Sequence, residues 1–181
     1  QFGLIPSDPL RLGGVTFLTS FFLHGGLWHL VGNMYFLLVF GDNVEAALGR
    51  WKYLLLLFGA TVAGGIFHCL IELETVRSNL PLVGASGGIS GVIVFYALMF
   101  PQARLGFMLI WAVWFRWFVI PAWVALIAWF ALQAFGIVQQ LTGFTHVSSL
   151  AHLGGAVVGL VFWASIRLAL ARFDRRAKRS V

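Results

Sequence analysis

Long apolar runs limit what this chain can fold into more than any other feature of its sequence. A helix needs about 17–25 predominantly apolar residues to cross a bilayer, and three of the six runs reach that length. Hydrophobic residues make up 60% of the 181 residues and charged residues only 10%, against roughly 45–50% and about 25% in soluble domains. The chain is therefore predicted to be an integral helical membrane protein. The six runs are residues 27–40, 53–71, 87–100, 105–115, 119–138 and 150–170.

Composition also excludes other classes of protein. Intrinsic disorder requires low hydrophobicity, and a disulfide-stapled module requires more than the single cysteine, Cys69. The net charge of +6 would suit a nucleic-acid partner, but six of the twelve basic residues lie in the last 15 positions. Such a cluster is typical of a tail at a membrane surface. We therefore expect the lipid bilayer as a partner and no nucleic acid.

The fourth run, 105–115, is too short for a spanning helix. It lies in a stretch rich in tryptophan (Trp111, Trp114 and Trp117), a residue that favours the headgroup region. This segment is therefore predicted to be interfacial or re-entrant. The other five runs predict an all-α membrane protein, a helical bundle of five spans.

Positive charge predicts the orientation of these spans. With a cytoplasmic C-terminus, ten of the Lys and Arg residues lie inside and only Arg11 and Arg77 lie outside, which is a strong positive-inside pattern. A sixth span at 105–115 would place the basic tail outside. We predict one membrane domain over 1–181, with an extracytoplasmic entry loop at 1–26 and a basic cytoplasmic tail at 171–181. Because Gln1 then lies outside, the chain is expected to lack a preceding helix.

Polar residues inside the predicted spans are costly and are therefore functional candidates. His29 and Asn33 lie in the first span, Ser86 at the start of the third, and His152 in the last. These three spans run in the same direction, and each polar residue lies near the start of its helix. The topology therefore places all four side chains at a similar depth in the outer leaflet.

Ser86 has the local sequence expected of a reactive group. Gly84 and Pro81 suit a loop, so Ser86 would open the helix, where unpaired N–H groups and the helix dipole favour a developing oxyanion. From Ser86 to Pro101 a helix extends about 22 Å, less than the hydrocarbon core of roughly 30 Å. A serine at that depth requires a water-filled cavity.

Close helix packing is also predicted. Gly87 with Gly91 and Gly155 with Gly159 form small-xxx-small pairs, which let two backbones approach closely. Taken alone, each candidate has a structural explanation, since serines in membrane helices usually bond to the preceding turn. Ser90 is predicted to do so. The combination of four suitable groups on three helices favours a catalytic site.

Four motifs occur in a fixed order along the chain: His24-x4-His29-x3-Asn33, then Phe40-Gly41-Asp42-Asn43-Val44-Glu45, then Gly84-Ala85-Ser86-Gly87 with Phe100-Pro101, and finally Ala151-His152-x-Gly154-Gly155. In order and spacing they resemble the rhomboid intramembrane serine proteases, over residues 2 to about 163. The family has at least six spans, one more than this chain. The second motif resembles prokaryotic members, so we expect a prokaryotic cytoplasmic membrane with the active site facing outside.

The resemblance implies a Ser–His dyad without an acid and without a cofactor or metal. Ser86 would be the nucleophile and His152 the general base and later the acid. His29, Asn33 and the Ser86 backbone N–H would form the oxyanion hole, and His24 would be structural. The implied substrates are single-pass membrane proteins that enter laterally and are cleaved near the outer surface. Where the family often has an aromatic residue to support the base, this chain has Ser90.

Other functions fit these residues less well. No His-Glu-x-x-His motif is present for a zinc protease, and Asp42 has no intramembrane aspartate partner for a paired-carboxylate protease. A metal transporter would draw on His24, His29, His68, Cys69, His146 and His152, which lack regular ligand spacing. The alternative from another class is a non-catalytic rhomboid-like protein that binds or chaperones membrane clients. Such a protein should lack Ser86 or His152.

Overall fold

The computed structural model describes residues 2–111, 114–145 and 147–177. Helices make up most of these residues, and a single two-stranded sheet joins two of them. Short 3₁₀ turns at Arg11–Gly14 and Ser20–Phe22 flank the first α-helix. The helices are α1 Thr16–Thr19, α2 Leu27–Leu48, α3 Arg50–Glu72, α4 Ser86–Met99, α5 Ala122–Leu141 and α6 Ser149–Ala177, and the strands are β1 Arg104–Trp111 and β2 Trp114–Pro121.

The five runs predicted to span the membrane all form helices, α2 to α6. Helices α3 and α5 and the segment Ser149–Phe173 are long and apolar enough to cross a bilayer. The segment Thr16–Phe22 and α2 pass the same test as a pair, with a bend of 96° between them. Large apolar side chains on these helices point outward, as lipid-facing residues do. Examples are Leu55, Leu70, Ile127, Leu132 and Phe135. The prediction of a helical membrane protein is confirmed, while the number of spans and the side of the C-terminus stay predictions.

Helix α4 forms the centre of the bundle. It is apolar or small on every side, which is typical of a helix that is buried all round, and Val92 and Phe95 are fully buried. It packs against α2, α3, α5 and α6. Phe100 precedes Pro101, and the residue before a proline disfavours helical geometry, so α4 ends there. With 14 residues it is about 21 Å long.

The segment predicted to be interfacial or re-entrant is a β-hairpin, which corrects the all-α prediction. Strands β1 and β2 pair antiparallel, with Trp111 opposite Trp114 and Arg104 opposite Pro121. Aromatic and β-branched residues fit strands better than helices, and the pairing of β1 with β2 satisfies the backbone hydrogen bonds on the facing edges of the two strands. The described residues of this segment form strands and not a sixth spanning helix. Residues 119–121, expected to begin the next span, belong to β2.

The N-terminal segment braces the loop that leads to α4. Leu4 is fully buried and pairs with Leu82, through N–H to O distances of 3.1 and 2.7 Å. Ser20 accepts the N–H of Gly84 at 2.9 Å. Residues 2–26 therefore contain helical turns and pack on the bundle.

Helix α6 continues beyond the predicted end of its span at residue 170, to Ala177. Much of the predicted basic tail is thus helical. Its last four positions, 178–181, lie outside the described residues. The cytoplasmic placement of this tail stays a prediction.

Candidate active site

Ser86 is the first residue of α4, as the glycine-rich sequence predicts. Gly84 has φ of +120°, a conformation that residues with a side chain rarely adopt, and it turns the chain sharply into the helix. The first N–H groups of a helix have no intrahelical partner. Ser86 therefore lies where backbone donors and the positive end of the helix dipole are available to an anion.

Ser86 faces His152 across the contact between α4 and α6. The Oγ of Ser86 lies 2.8 Å from Nε2 of His152, a hydrogen-bond distance. Helix α6 is fixed just before this residue, because Ser148 accepts the N–H of Ala151 at 3.0 Å and contacts Nδ1 of His68 at 2.8 Å. The histidine is thus held on a well-anchored first turn.

Glycines make this short distance possible. A Cβ atom at Gly155 would collide with the backbone oxygen of Gly87, and one at Gly159 would collide with the backbone oxygen of Gly91. The two small-xxx-small pairs therefore interlock, and the backbones of α4 and α6 approach as closely as the sequence predicted.

Asn33 and His29 approach the same site from α2. The side-chain amide nitrogen of Asn33 is buried and has no hydrogen-bond partner among the residues that the structure describes. A Cβ atom at Gly84 would lie 2.7 Å from Nε2 of His29 and 3.5 Å from Nδ2 of Asn33. Both side chains therefore crowd the turn that precedes Ser86.

The hydrogen bond of His29 indicates where its proton lies. Its Nδ1 accepts the N–H of Gly25 at 3.4 Å, so the neutral ring carries its proton on Nε2, the nitrogen that faces Gly84. The ring of His24 packs edge-on against that of His29, with 5.2 Å between centroids. His29 is thus oriented to donate a hydrogen bond towards the site.

Two cavities meet at Ser86. One, of about 600 Å³, is lined by Ser86, His29 and the loop residues Leu80 and Pro81. The other, of about 270 Å³, is lined by Ser86, His29, Asn33 and His152. This space fits the water-accessible cavity that a serine below the membrane surface requires.

Gln133 of α5 is a site residue that the sequence analysis missed. Its Oε1 lies 2.8 Å from Nδ1 of His152, on the side of the ring opposite Ser86. The side chain is buried. A glutamine inside the predicted span 119–138 is itself a costly polar residue, and the same argument that selected Asn33 would have selected it.

Ser90 behaves as predicted for a serine in a membrane helix. Its Oγ donates to the backbone oxygen of Ser86 at 2.7 Å, and the residue is buried. Of the two serines in this glycine-rich stretch, Ser86 is the one that faces a histidine.

The candidate metal ligands that the structure describes do not form a metal site. Among the described residues, no group of three His, Cys, Asp or Glu side chains could hold a metal ion. His68 pairs with Ser148 and His152 with Ser86. His146 lies outside the described residues.

The sequence also matches a known protein family. The Rhomboid domain model matches residues 13–168. RHOMBOID-like protein 12, mitochondrial, of Arabidopsis thaliana is 30% identical over 94% of this chain and 52% of its own length. Presenilin-associated rhomboid-like protein A, mitochondrial, of Danio rerio is 34% identical over 78% of this chain and 34% of its own length. Rhomboid protein 1, mitochondrial, of Saccharomyces cerevisiae is 29% identical over 82% of this chain and 40% of its own length. No solved structure matches the chain significantly.

These relatives correct the expected location. All three are named as mitochondrial proteins, which contradicts the expectation of a prokaryotic cytoplasmic membrane. Apolar runs and basic tails reveal that a chain is in a bilayer, but bilayers of different compartments select the same helices. The chain spans about a third to a half of the length of these relatives. Since the family model covers most of its residues, the chain belongs to the rhomboid family.

Proposed function

We propose that this chain is an intramembrane serine endopeptidase. The observation that carries the proposal is the 2.8 Å distance between Ser86 Oγ and His152 Nε2 at the meeting point of two cavities. A serine hydroxyl becomes a competent nucleophile when a neighbouring base accepts its proton. A serine that only packs a helix needs neither the histidine nor the cavity.

In the first step, Ser86 Oγ attacks the carbonyl carbon of the scissile peptide while His152 Nε2 accepts the hydroxyl proton. The carbonyl oxygen gains negative charge as the new C–O bond forms. This oxygen would lie near the turn at Gly84, where three kinds of hydrogen-bond donor are close. They are the side-chain amide of Asn33, which has no partner among the described residues, the Nε2–H of His29 and the first N–H groups of α4. Such donors act best where they are fixed before the reaction.

In the second step, the tetrahedral intermediate collapses and the peptide C–N bond breaks. His152 donates its proton to the leaving amine, and an acyl enzyme remains on Ser86. Water from the cavity then attacks the acyl carbon, with His152 again accepting a proton. The second product leaves as a carboxylic acid, and Ser86 and His152 return to their starting states.

The proposed substrates are single-pass membrane proteins that reach the site laterally from the bilayer. The exposed apolar surfaces of α2 and α5 support this class. We further propose one membrane domain over 1–181, with cleavage near the surface opposite the basic tail. We also propose a mitochondrial location, which the names of the relatives support.

The test is cleavage of a single-span model substrate in liposomes, together with labelling by a serine-directed fluorophosphonate. Ser86→Ala should abolish both cleavage and labelling, and His152→Ala should lower both by at least about 10²-fold. Ser165→Ala is the matched control, because Ser165 is a helix serine whose Oγ bonds to the preceding turn at 2.7 Å. Unchanged cleavage in Ser86→Ala would refute the proposal, and absence of labelling in the parent chain would favour a client-binding protein.

A further inference from the structure

Gln133 contacts the proposed general base at the ring nitrogen that does not face Ser86. Its Oε1 is 2.8 Å from one ring nitrogen of His152, and Ser86 Oγ is 2.8 Å from the other. The three residues come from α5, α6 and α4. The ring is therefore held at both nitrogens by groups from two other helices.

An amide oxygen only accepts hydrogen bonds. Opposite Oε1, the Nδ1 of His152 must therefore carry the single proton of the neutral ring. Its Nε2 then presents a lone pair to Ser86. A general base requires this tautomer. With the proton on the other nitrogen, the ring could not accept the hydroxyl proton.

The position of Gln133 in α5 strengthens this reading. The buried residues of α5 are Ala122, Gln133 and Gln140, so the helix directs two of its three glutamines into the bundle. They are seven residues apart and share one face. Gln140 has a structural partner, since its Nε2 donates to Glu72 at 2.7 Å. Gln133 instead contacts the base.

We propose that Gln133 is the positioning residue for His152: its amide oxygen fixes the ring orientation and selects the tautomer with Nε2 free for Ser86. The inference rests on the proposed protease function. It also assigns a role to α5, because the base is correctly oriented only while this helix is packed against α6. Gln133 acts through His152 and contacts no reacting atom.

The experiment compares three variants in liposomes. Gln133→Met keeps the approximate size but removes the acceptor, and should lower kcat by about 10–10²-fold with KM little changed. Gln133→Glu keeps an acceptor and adds charge, so it should retain most activity, with the acidic limb of the rate profile at higher pH, because a carboxylate favours the imidazolium. Gln140→Met, the matched control on the same helix, should lower Tm but leave kcat and the pH profile unchanged. Among the described residues, His29 is the titratable group that acts electrostatically on His152. It is unchanged in all three variants.

A spectroscopic measurement does not depend on the variants. Nitrogen NMR of histidine-labelled protein, assigned with His152→Ala, should show His152 protonated at Nδ1 in the active pH range. A proton on Nε2, or a Gln133→Met enzyme with unchanged kcat, would overturn the role of Gln133. Loss in Gln133→Met that only parallels a drop in Tm, as in Gln140→Met, would do the same. Fluorophosphonate labelling separates the two proposals: a parent chain that labels at Ser86 retains the protease function even if Gln133 fails, whereas one that does not label loses both.

Discussion

Buried polar side chains in this protein differ in whether they have partners. Gln140, Glu72, Ser148 and His68 pair with one another or with backbone, as buried polar groups in folded proteins do. The amide nitrogen of Asn33 has no partner among the described residues. An unsatisfied buried donor destabilises a protein, so its presence beside Ser86 indicates a function that requires a free donor.

This contrast predicts the behaviour of Asn33→Ala. Removing the amide should lower kcat by about 10²–10³-fold, as loss of one oxyanion donor does. Thermal unfolding in detergent should give a Tm equal to or above that of the parent chain, because the amide nitrogen has no hydrogen bond to lose among the described residues. Asn43→Ala, an exposed position on the same helix, is the control and should change neither value. A large drop in Tm with Asn33→Ala would instead make Asn33 a structural residue.

At the scale of elements, glycine decides how α4 and α6 meet. The sequence predicts close packing from the glycine spacing, and the structure shows the backbones in contact at Gly87 and Gly155. Side chains at such positions cannot rearrange to make room, since the colliding atom belongs to the backbone. The Ser86–His152 distance therefore depends on residues that take no part in the chemistry.

Gly155→Ala should separate the two helices. Overpacking of this kind costs about 1–3 kcal/mol of stability, and a shift of about 1 Å at the site can lower the rate by 10²-fold. Gly59→Ala is the matched control, because the nearest atom to a Cβ there is a Val158 methyl at an ordinary 3.9 Å. Phosphonate labelling rates and Tm measured on both variants check this expectation. Equal labelling in the two would show that the glycine contact does not set the site geometry.

At the scale of the whole molecule, one polar network joins α3, α5 and the start of α6. Arg77 donates from Nη1 to the backbone oxygens of Gln140 and Thr145 at 2.8 and 3.0 Å, and Glu72 accepts from Gln140. Glu72 also accepts from Thr75 at 2.6 Å. The network therefore contributes to the stability of the bundle.

Arg77→Met should therefore destabilise the fold as a whole. Hydrogen bonds from a charged donor contribute roughly 1.5–3 kcal/mol, so a clear fall in Tm is expected. Arg50→Met is the control, since the Arg50–Glu45 pair at 3.7 Å is exposed and such pairs contribute about 0–1 kcal/mol. Similar Tm values for the two variants would contradict a structural role for the network.

Much of the bundle and most of the site follow from local sequence. Five of the six apolar runs form helices, and Gly84 and Pro101 mark the ends of α4. Ser86, His152, His29 and Asn33 are the costly polar residues of their helices. The segment 105–115 was harder to predict, because a short apolar run suits an interfacial helix or a strand equally well. The hairpin forms because β1 pairs with β2.

The sequence by itself determined that the chain enters a bilayer, where its five long helices lie along the chain, and which side chains are too polar to face lipid without a purpose. These properties depend on the energy of each segment in its surroundings and can be read locally. The tertiary structure decided which polar residues meet. Ser86 and His152 are 66 positions apart, and Gln133 reaches His152 from a third helix. Such contacts depend on how helix faces pack, through glycine contacts and buried hydrogen bonds, and no single segment contains that information.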